Sequence, residues 1–318
     1  MTVLILAPER DATADRMIRE LARRRVSVVR FDTAWFPEHV SLDAQFRRDH
    51  WDGSLTIRDR TVPLSDIRSV WYRSPSAFRF PEDLTSVERQ WASNEAKIGL
   101  GGVLSSLPAL WVNHPARQAD AAVKPVQLAV AARCGLSLAD TLITNSEAGV
   151  RRFAAGRHTV AKALAAPAVV ESGARCTAFT HVLGDEDLAD LRGVGVTAHQ
   201  FQEWVPKLYE ARVTVVGDRF FVAGIHATTD ATHVDWRNSY RDLKYTRPKL
   251  PADVHGGLLK YLKEFDLEYG AFDMVITPDG EWVFLECNPG GQYGWIEDAI
   301  DAPITGALAD LLTTGRTP

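Results

Sequence analysis

Two runs near the C-terminus carry oxygen donors at spacings that matter chemically. Glu286 and Asn288 stand two residues apart within Glu281 to Asn288, so on a strand they point to one face. The run Ala271 to Thr277 holds Asp273, and a turn at Pro278-Asp279-Gly280 folds the two runs into a hairpin with Asp273 nearly opposite that pair. Two carboxylates and an amide oxygen are hard donors that suit magnesium, which leaves its other positions to water and phosphate oxygens. The competing explanation is a half-exposed sheet whose acids face water. Against it, Phe272, Met274, Val283, Phe284 and Leu285 make both runs mostly apolar, and acids on such strands need a partner charge.

Cations that could meet phosphates are harder to single out, because a lone lysine is usually a solvated surface group. Lys162 stands out: Thr159-Val160-Ala161 and Ala163-Leu164 surround it with strand-like residues. Lys124 opens a helix-patterned run that reaches Cys134. Arg237 follows Asp235 by two residues, a spacing that fits a loop ion pair with Asp235 or Asp242. It also fits a guanidinium held ready to take a carboxylate through two parallel bonds, with Arg212 as its neighbour in role.

These residues need elements to position them. Val3 to Ala7 is an apolar run, Ala14, Met17, Ile18 and Leu21 follow at helical spacing, and Val26 to Phe31 is a second apolar run. This β-α-β opening predicts a small parallel sheet with helices against it. Trp51 to Ile57 and Val70 to Arg73 predict further strands, and Val87 to Leu104 a long helix whose end takes in Gly99-Leu100-Gly101-Gly102. Leu110 to Val112 is strand-like, and Asn113-His114-Pro115 then breaks the pattern. Thr141 to Thr144 predicts a strand, and from His199 the chain becomes strand-rich, with a hairpin about Gly217-Asp218. The expected division is residues 1–115, 116–198 and 199–318.

The bulk properties exclude several classes of function. Among 318 residues, 46% are hydrophobic and 24% charged, the balance of a folded globular chain. A net charge of -5 provides no global basic field for nucleic acid. No window has the roughly 18 apolar residues of a membrane span, and the start lacks a basic segment before its apolar run. Cys134, Cys176 and Cys287 lie far apart and odd in number, so reduced thiols and a cytoplasmic location are expected.

With the hairpin and lysines in view, the chain resembles the ATP-grasp superfamily. Asp273-Met274 and Glu286-Cys287-Asn288-Pro289-Gly290-Gly291 are similar to its carboxylate, its Glu-x-Asn and the glycine segment that follows. The resemblance implies magnesium at Asp273, Glu286 and Asn288, and ATP phosphates on Lys124 and Lys162. Gln202-Glu203-Trp204-Val205 resembles the hinge whose backbone at Glu203 and Val205 reads adenine, and Glu210 stands where the family binds ribose hydroxyls. The implied fold is mixed α/β: a Rossmann-like pre-ATP-grasp domain, a central domain and a C-terminal antiparallel-sheet domain. Glu171-Ser172-Gly173-Ala174 is expected as a mobile flap over the reaction.

Within that superfamily the chain is most similar to the graspetide maturases, which link side chains of a ribosomal precursor peptide. Asn113-His114-Pro115, Thr141 to Asn145, Val205 to Gly217, Asp235-Trp236-Arg237 and Trp71-Tyr72-Arg73-Ser74-Pro75 carry the likeness over nearly the whole chain. It implies ATP-dependent phosphorylation of Asp or Glu side chains, with Arg237 and Arg212 meeting that carboxylate. Ser or Thr hydroxyls or Lys amines then close ester or amide rings. The implied partner is a precursor peptide with a leader and an acidic core, with a homodimer left open. A ligase for free amino acids or a protein tail is the alternative, and a non-catalytic nucleotide-binding scaffold a third reading.

Overall fold

The computed structural model describes residues 1–165, 168–171 and 174–314. At its start β1 (Thr2–Leu6), α1 (Ala12–Arg23) and β2 (Ser27–Phe31) form the expected unit, β1 pairing in parallel with β2. Asp11 caps α1 by accepting from the Ala14 N–H, and the helix turns Ala14, Met17 and Leu21 inward. A meander of β3 (Val40–Arg47), β4 (His50–Ile57) and β5 (Arg60–Pro63) follows. Only its middle strand is predicted from the residues, because β3 is largely solvent-facing and carries no apolar run. Then β6 (Ile67–Tyr72), the long α2 (Ser86–Ser105) and β7 (Leu110–Val112) complete a parallel sheet ordered β2-β1-β6-β7. The glycine cluster 99–102 lies inside the last turns of α2, as a helix end rather than a nucleotide loop.

Pro115 opens α3 (Pro115–Ala121), and α4 (Lys124–Arg133) ends before Gly135, whose φ of 81° suits a residue without Cβ. After β8 (Ser137–Leu138) come β9 (Thr141–Thr144), α5 (Glu147–Ala154) and β10 (Thr159–Lys162). Next are β11 (Ala168–Glu171), β12 (Ala174–Thr177), β13 (His181–Val182), α6 (Asp185–Ala189) and β14 (His199–Glu203). The antiparallel sheet here is ordered β13-β10-β14-β9, while β11 and β12 pair only with each other. Ser172 and Gly173, at the centre of the expected flap, lie outside the described residues.

Residues 204–208 lead into the largest sheet. It is built from β15 (Tyr209–Val216), β16 (Arg219–Ala227), β17 (Leu243–Thr246), β18 (Tyr269–Ile276) and β19 (Trp282–Asn288), ordered β17-β16-β15-β18-β19-β8. Because β14 pairs with β10 and β9, the chain passes between sheets a few residues beyond the expected division at 198/199. Helices α7 (Asp230–Val234), α8 (Ala252–Glu264), α9 (Gly294–Ile300) and α10 (Ile304–Thr314) complete the chain. Ala211, Val213 and Val215 of β15 face a core shared with α4 and α8, while α10 packs with α1 and β1 in a second core.

One buried side chain joins these layers. Asn113 donates to the carbonyls of Tyr269 and Pro289 at 2.8 and 2.7 Å and accepts from the N–H groups of Glu268 and Tyr269 at 2.8 and 3.0 Å. An amide has two donors and one two-lone-pair acceptor, so all of its capacity is used. The residue that breaks the sequence pattern thus ties the first sheet to the start of β18 and the end of β19.

Candidate active site

Alternation along β15 sets the site's floor: with Ala211 and Val213 turned into the core, Glu210 and Arg212 face the opposite side. On β18, Phe272 and Met274 likewise turn inward and Asp273 and Val275 outward. On β19 simple alternation fails. The ladder pairs Asp273 with Glu286 but Met274 with Phe284, so one extra residue, Leu285, is accommodated by a bulge. Phe284 and Cys287, three apart, therefore both enter the core, and Glu286 and Asn288 emerge together beside Asp273.

A cavity of about 770 Å³ lies over this floor, and every predicted site residue lines it: Lys124, Lys162, Gln202, Glu203, Val205, Glu210, Arg212, Arg237, Asp273, Glu286 and Asn288. Most of its charges are internally paired. Lys124 lies 3.1 Å from Glu286 and donates to the Ala163 carbonyl at 2.7 Å. One nitrogen of Arg212, Nη1, donates to both oxygens of Asp273 at 2.8 and 2.7 Å. Lys207 pairs with Glu210, and Arg237 with Asp235.

The supports of these groups are equally specific. Lys124 and Gln127 stand three apart on α4, on the side that meets β19. Gln127 accepts from the Cys287 N–H at 2.8 Å and donates to the carbonyls of Cys287 and Ala121 at 2.9 and 2.7 Å, fixing the residue between Glu286 and Asn288. Lys162 donates to Gln202 at 2.7 Å, and Gln202 donates on to Thr141 at 2.9 Å. The Glu203 N–H is committed to the Asp140 carbonyl at 2.9 Å, so its carbonyl is the group available to read a base edge. Glycine is required at Gly291, where a Cβ would lie 2.7 Å from both the Ala271 Cβ and Arg212 Nη2, whereas one on Gly290 would meet only the flexible end of Gln118 at 2.6 Å.

Burial and pairing set the protonation tendencies. Burial pushes the Lys162 ammonium down to about 8, although Glu286 and Glu210 oppose the shift. Burial raises the Asp273 carboxyl despite Arg212, and that of Glu210 despite Lys207. For Glu286 burial again pushes upward, but Lys124, Arg237 and Lys162 together outweigh it and the shift is downward. Burial also works against ionised Asp235, but the bonds from Arg237 win and hold it at about 2.

The donor set fits magnesium. Asn288 Nδ2 lies 3.2 Å from an Asp273 oxygen and 3.5 Å from a Glu286 oxygen, so all three side chains converge within reach of one ion. Among the described residues no cluster of three or more His, Cys, Asp or Glu forms, so the set rests on two carboxylates and an amide. Magnesium uses one or two carboxylates and leaves room for phosphate oxygens. Rotating the Asn288 amide would present its oxygen.

Arg237 commits its Nε and Nη2 to Asp235, at 2.8 and 2.5 Å, in the loop ion pair that the spacing allowed. A guanidinium has five N–H donors, so two on Nη1 and one on Nη2 remain to face a ligand. Asp235 also accepts from the Thr180 N–H at 3.0 Å, tying the loop after β12 to the same carboxylate. Two charged residues of the cavity, Asp235 and Lys207, were not among the expected ligands; the signal for Lys207 was an opposite charge three residues away at Glu210.

Comparison with known proteins supplies the identity. Residues 2–119 match the family model of the MvdD pre-ATP grasp domain. The structure superposes on the macrocyclase MdnC of Microcystis aeruginosa MRC, solved with precursor peptide MdnA. The TM-score is 0.86, with 30% identity over 99% of this chain and 100% of that one. The chain belongs to the ATP-grasp peptide macrocyclases. MdnB from the same organism is also 30% identical over 98% of each chain, with a TM-score of 0.79. A ligase of Chryseobacterium gregarium, solved with ADP and a leader and core peptide, gives 0.90 and 27% identity over 99% of this chain and 97% of that one. No curated protein sequence matches. As a macrocyclase-family member the chain is an ATP-grasp ligase, and among its described residues no helix is long and apolar enough to cross a membrane.

Proposed function

We propose that this ligase uses ATP to phosphorylate Asp or Glu side chains of a ribosomal precursor peptide with a leader and an acidic core. It then closes macrocyclic esters with Ser or Thr hydroxyls, or amides with Lys amines. The peptide carboxylate oxygen attacks the γ-phosphorus, ADP leaves, and an acyl phosphate forms. The hydroxyl or amine attacks the acyl carbon, phosphate departs, and the nucleophile's proton is lost. The observation that carries this reading is the convergence of all eleven expected residues on one cavity.

Phosphoryl transfer asks a protein chiefly for positioning and charge neutralisation. The hinge carbonyl of Glu203 and the backbone of Val205 orient the base, with Gln202 holding Lys162 beside them. Glu210 takes the ribose hydroxyls. Lys124 and Lys162 meet the phosphates, and a metal held by Glu286 would leave the Lys124 ammonium free to do so. Magnesium held by Asp273, Glu286 and Asn288 would neutralise phosphate oxygens. Arg237, oriented by Asp235, and Arg212 screen the acidic side chain from the phosphate charge, a repulsion of several kcal/mol in a partly dry site, on the order of that between unit charges. The protein works in the cytoplasm, with reduced thiols, and neither nucleic acid nor membrane is a partner.

ADP release measured with a candidate acidic precursor peptide, with free amino acids and with neither tests the reading. Release only with the peptide supports it. Release with free amino acids instead would favour a carboxylate-amine ligase.

A further inference from the structure

Lys207 has no part in the chemistry above, yet its side chain is only 6% exposed and its ammonium touches three parts of the site. It donates to the Glu210 carboxylate and, at 3.3 Å, to the Val234 carbonyl, and it lies 4.9 Å from the centroid of the Trp204 ring. Trp204 stands in the hinge between Glu203 and Val205, Glu210 is the ribose residue, and Val234 directly precedes Asp235, which holds Arg237. All three partners line the same cavity.

We propose that Lys207 is a positioning residue that couples nucleotide occupancy to the placement of Arg237, the cation for the substrate carboxylate. The proposal rests on the ribose role given to Glu210. An ammonium has three donors, and here one group divides them between a nucleotide ligand and the backbone that leads into the arginine segment. Ribose hydroxyls donating to Glu210 draw on the oxygens that Lys207 holds, so the ammonium adjusts, and with it the bond to Val234. The nucleotide also excludes water from the pair, which strengthens the remaining bonds. A Lys207 that merely neutralised a buried Glu210 would leave residues 234–242 indifferent to the nucleotide.

Two readouts distinguish these roles without turnover. Calorimetry with magnesium and either ADP or 2′-deoxyADP measures the contribution of the ribose hydroxyl. Amide hydrogen exchange over residues 234–242, with and without saturating ADP, measures the coupling. The wild type should prefer ADP by about tenfold, the scale of one hydrogen bond to a charged group, and ADP should slow exchange in 234–242. In Lys207→Met the preference should fall toward unity and the ADP-induced protection disappear, while Lys207→Arg, which keeps charge and reach, should restore both. Lys207→Gln serves as the uncharged variant if the Met variant does not fold. Retained protection at saturating ADP in the uncharged variant overturns the coupling, whatever happens to the preference. Failure of the wild type to bind ADP would instead overturn the nucleotide site itself.

Discussion

Arg237 donates its Nε and Nη2 to the two carboxylate oxygens of Asp235, and the Asp235 carboxylate is almost wholly buried, with 3% side-chain exposure. A buried acid holding an arginine that is about one-third exposed orients a cation toward the cavity instead of retaining it in the interior. Asp235→Asn keeps the shape but removes the charge and one of the two acceptors. We expect cyclisation kcat/KM for the peptide to fall at least about tenfold, the scale of a charge-assisted hydrogen bond, while ADP affinity stays within a factor of about two. Steady-state cyclisation and calorimetry on the same preparation check this.

Arg237→Lys keeps the charge but cannot engage Asp235 with a rigid fork. Nucleotide binding should remain near normal and cyclisation should collapse. Near-normal cyclisation by Arg237→Ala would make the residue structural and leave the carboxylate role to Arg212.

Gln127 bonds both the N–H and the carbonyl of Cys287, between Glu286 and Asn288. Gln127→Leu leaves these buried groups unpartnered, at about 1–3 kcal/mol for each. A lowered denaturation midpoint together with a higher magnesium requirement for ADP binding is expected. A change in stability alone would separate Gln127 from the metal ligands.

Lys162, with its ammonium brought down to about 8 by burial, gives a pH dependence of definite sign. Bound phosphate favours the charged form, so the complex holds a proton that the free protein loses above that pH. ADP affinity should therefore weaken as pH rises through about 8 and onward, and the slope should vanish in Lys162→Met. Calorimetry from pH 7 to about 9.5 checks it, because the ordinary lysine pKa of about 10.4 would place the loss higher.

What could be read from the residues was the local pattern. Asp273 opposite Glu286, the turn at Gly280 with its φ of 90°, and strand Thr141–Thr144 follow from alternation and turn chemistry within a few residues. Strand β3 carried a signal that was missed, since Val40, Leu42, Ala44 and Phe46 alternate with Ser41, Asp43, Gln45 and Arg47 instead of forming a continuous apolar run. The bulge at Leu285 escaped because an extra residue leaves no signature in composition. The charge pairs were beyond reach for another reason: Lys124 meets Glu286, and Arg212 meets Asp273, across long sequence separations that only the folded sheets close. The Arg237–Asp235 pair was visible as a spacing, but the side chain to which the fork belongs depends on the burial of Asp235.

The central claim is that the paired cavity couples ATP to ring closure on a peptide through the metal ligands. The most direct test combines ADP release with intact mass of the precursor peptide, for wild type, Glu286→Gln and Asn288→Ala. The account predicts that wild type releases one ADP for each loss of the mass of one water from the peptide. Both variants should lose turnover by orders of magnitude with little change in melting in the absence of nucleotide. Wild-type turnover in either variant, or a product that gains the mass of a free amino acid, would contradict it.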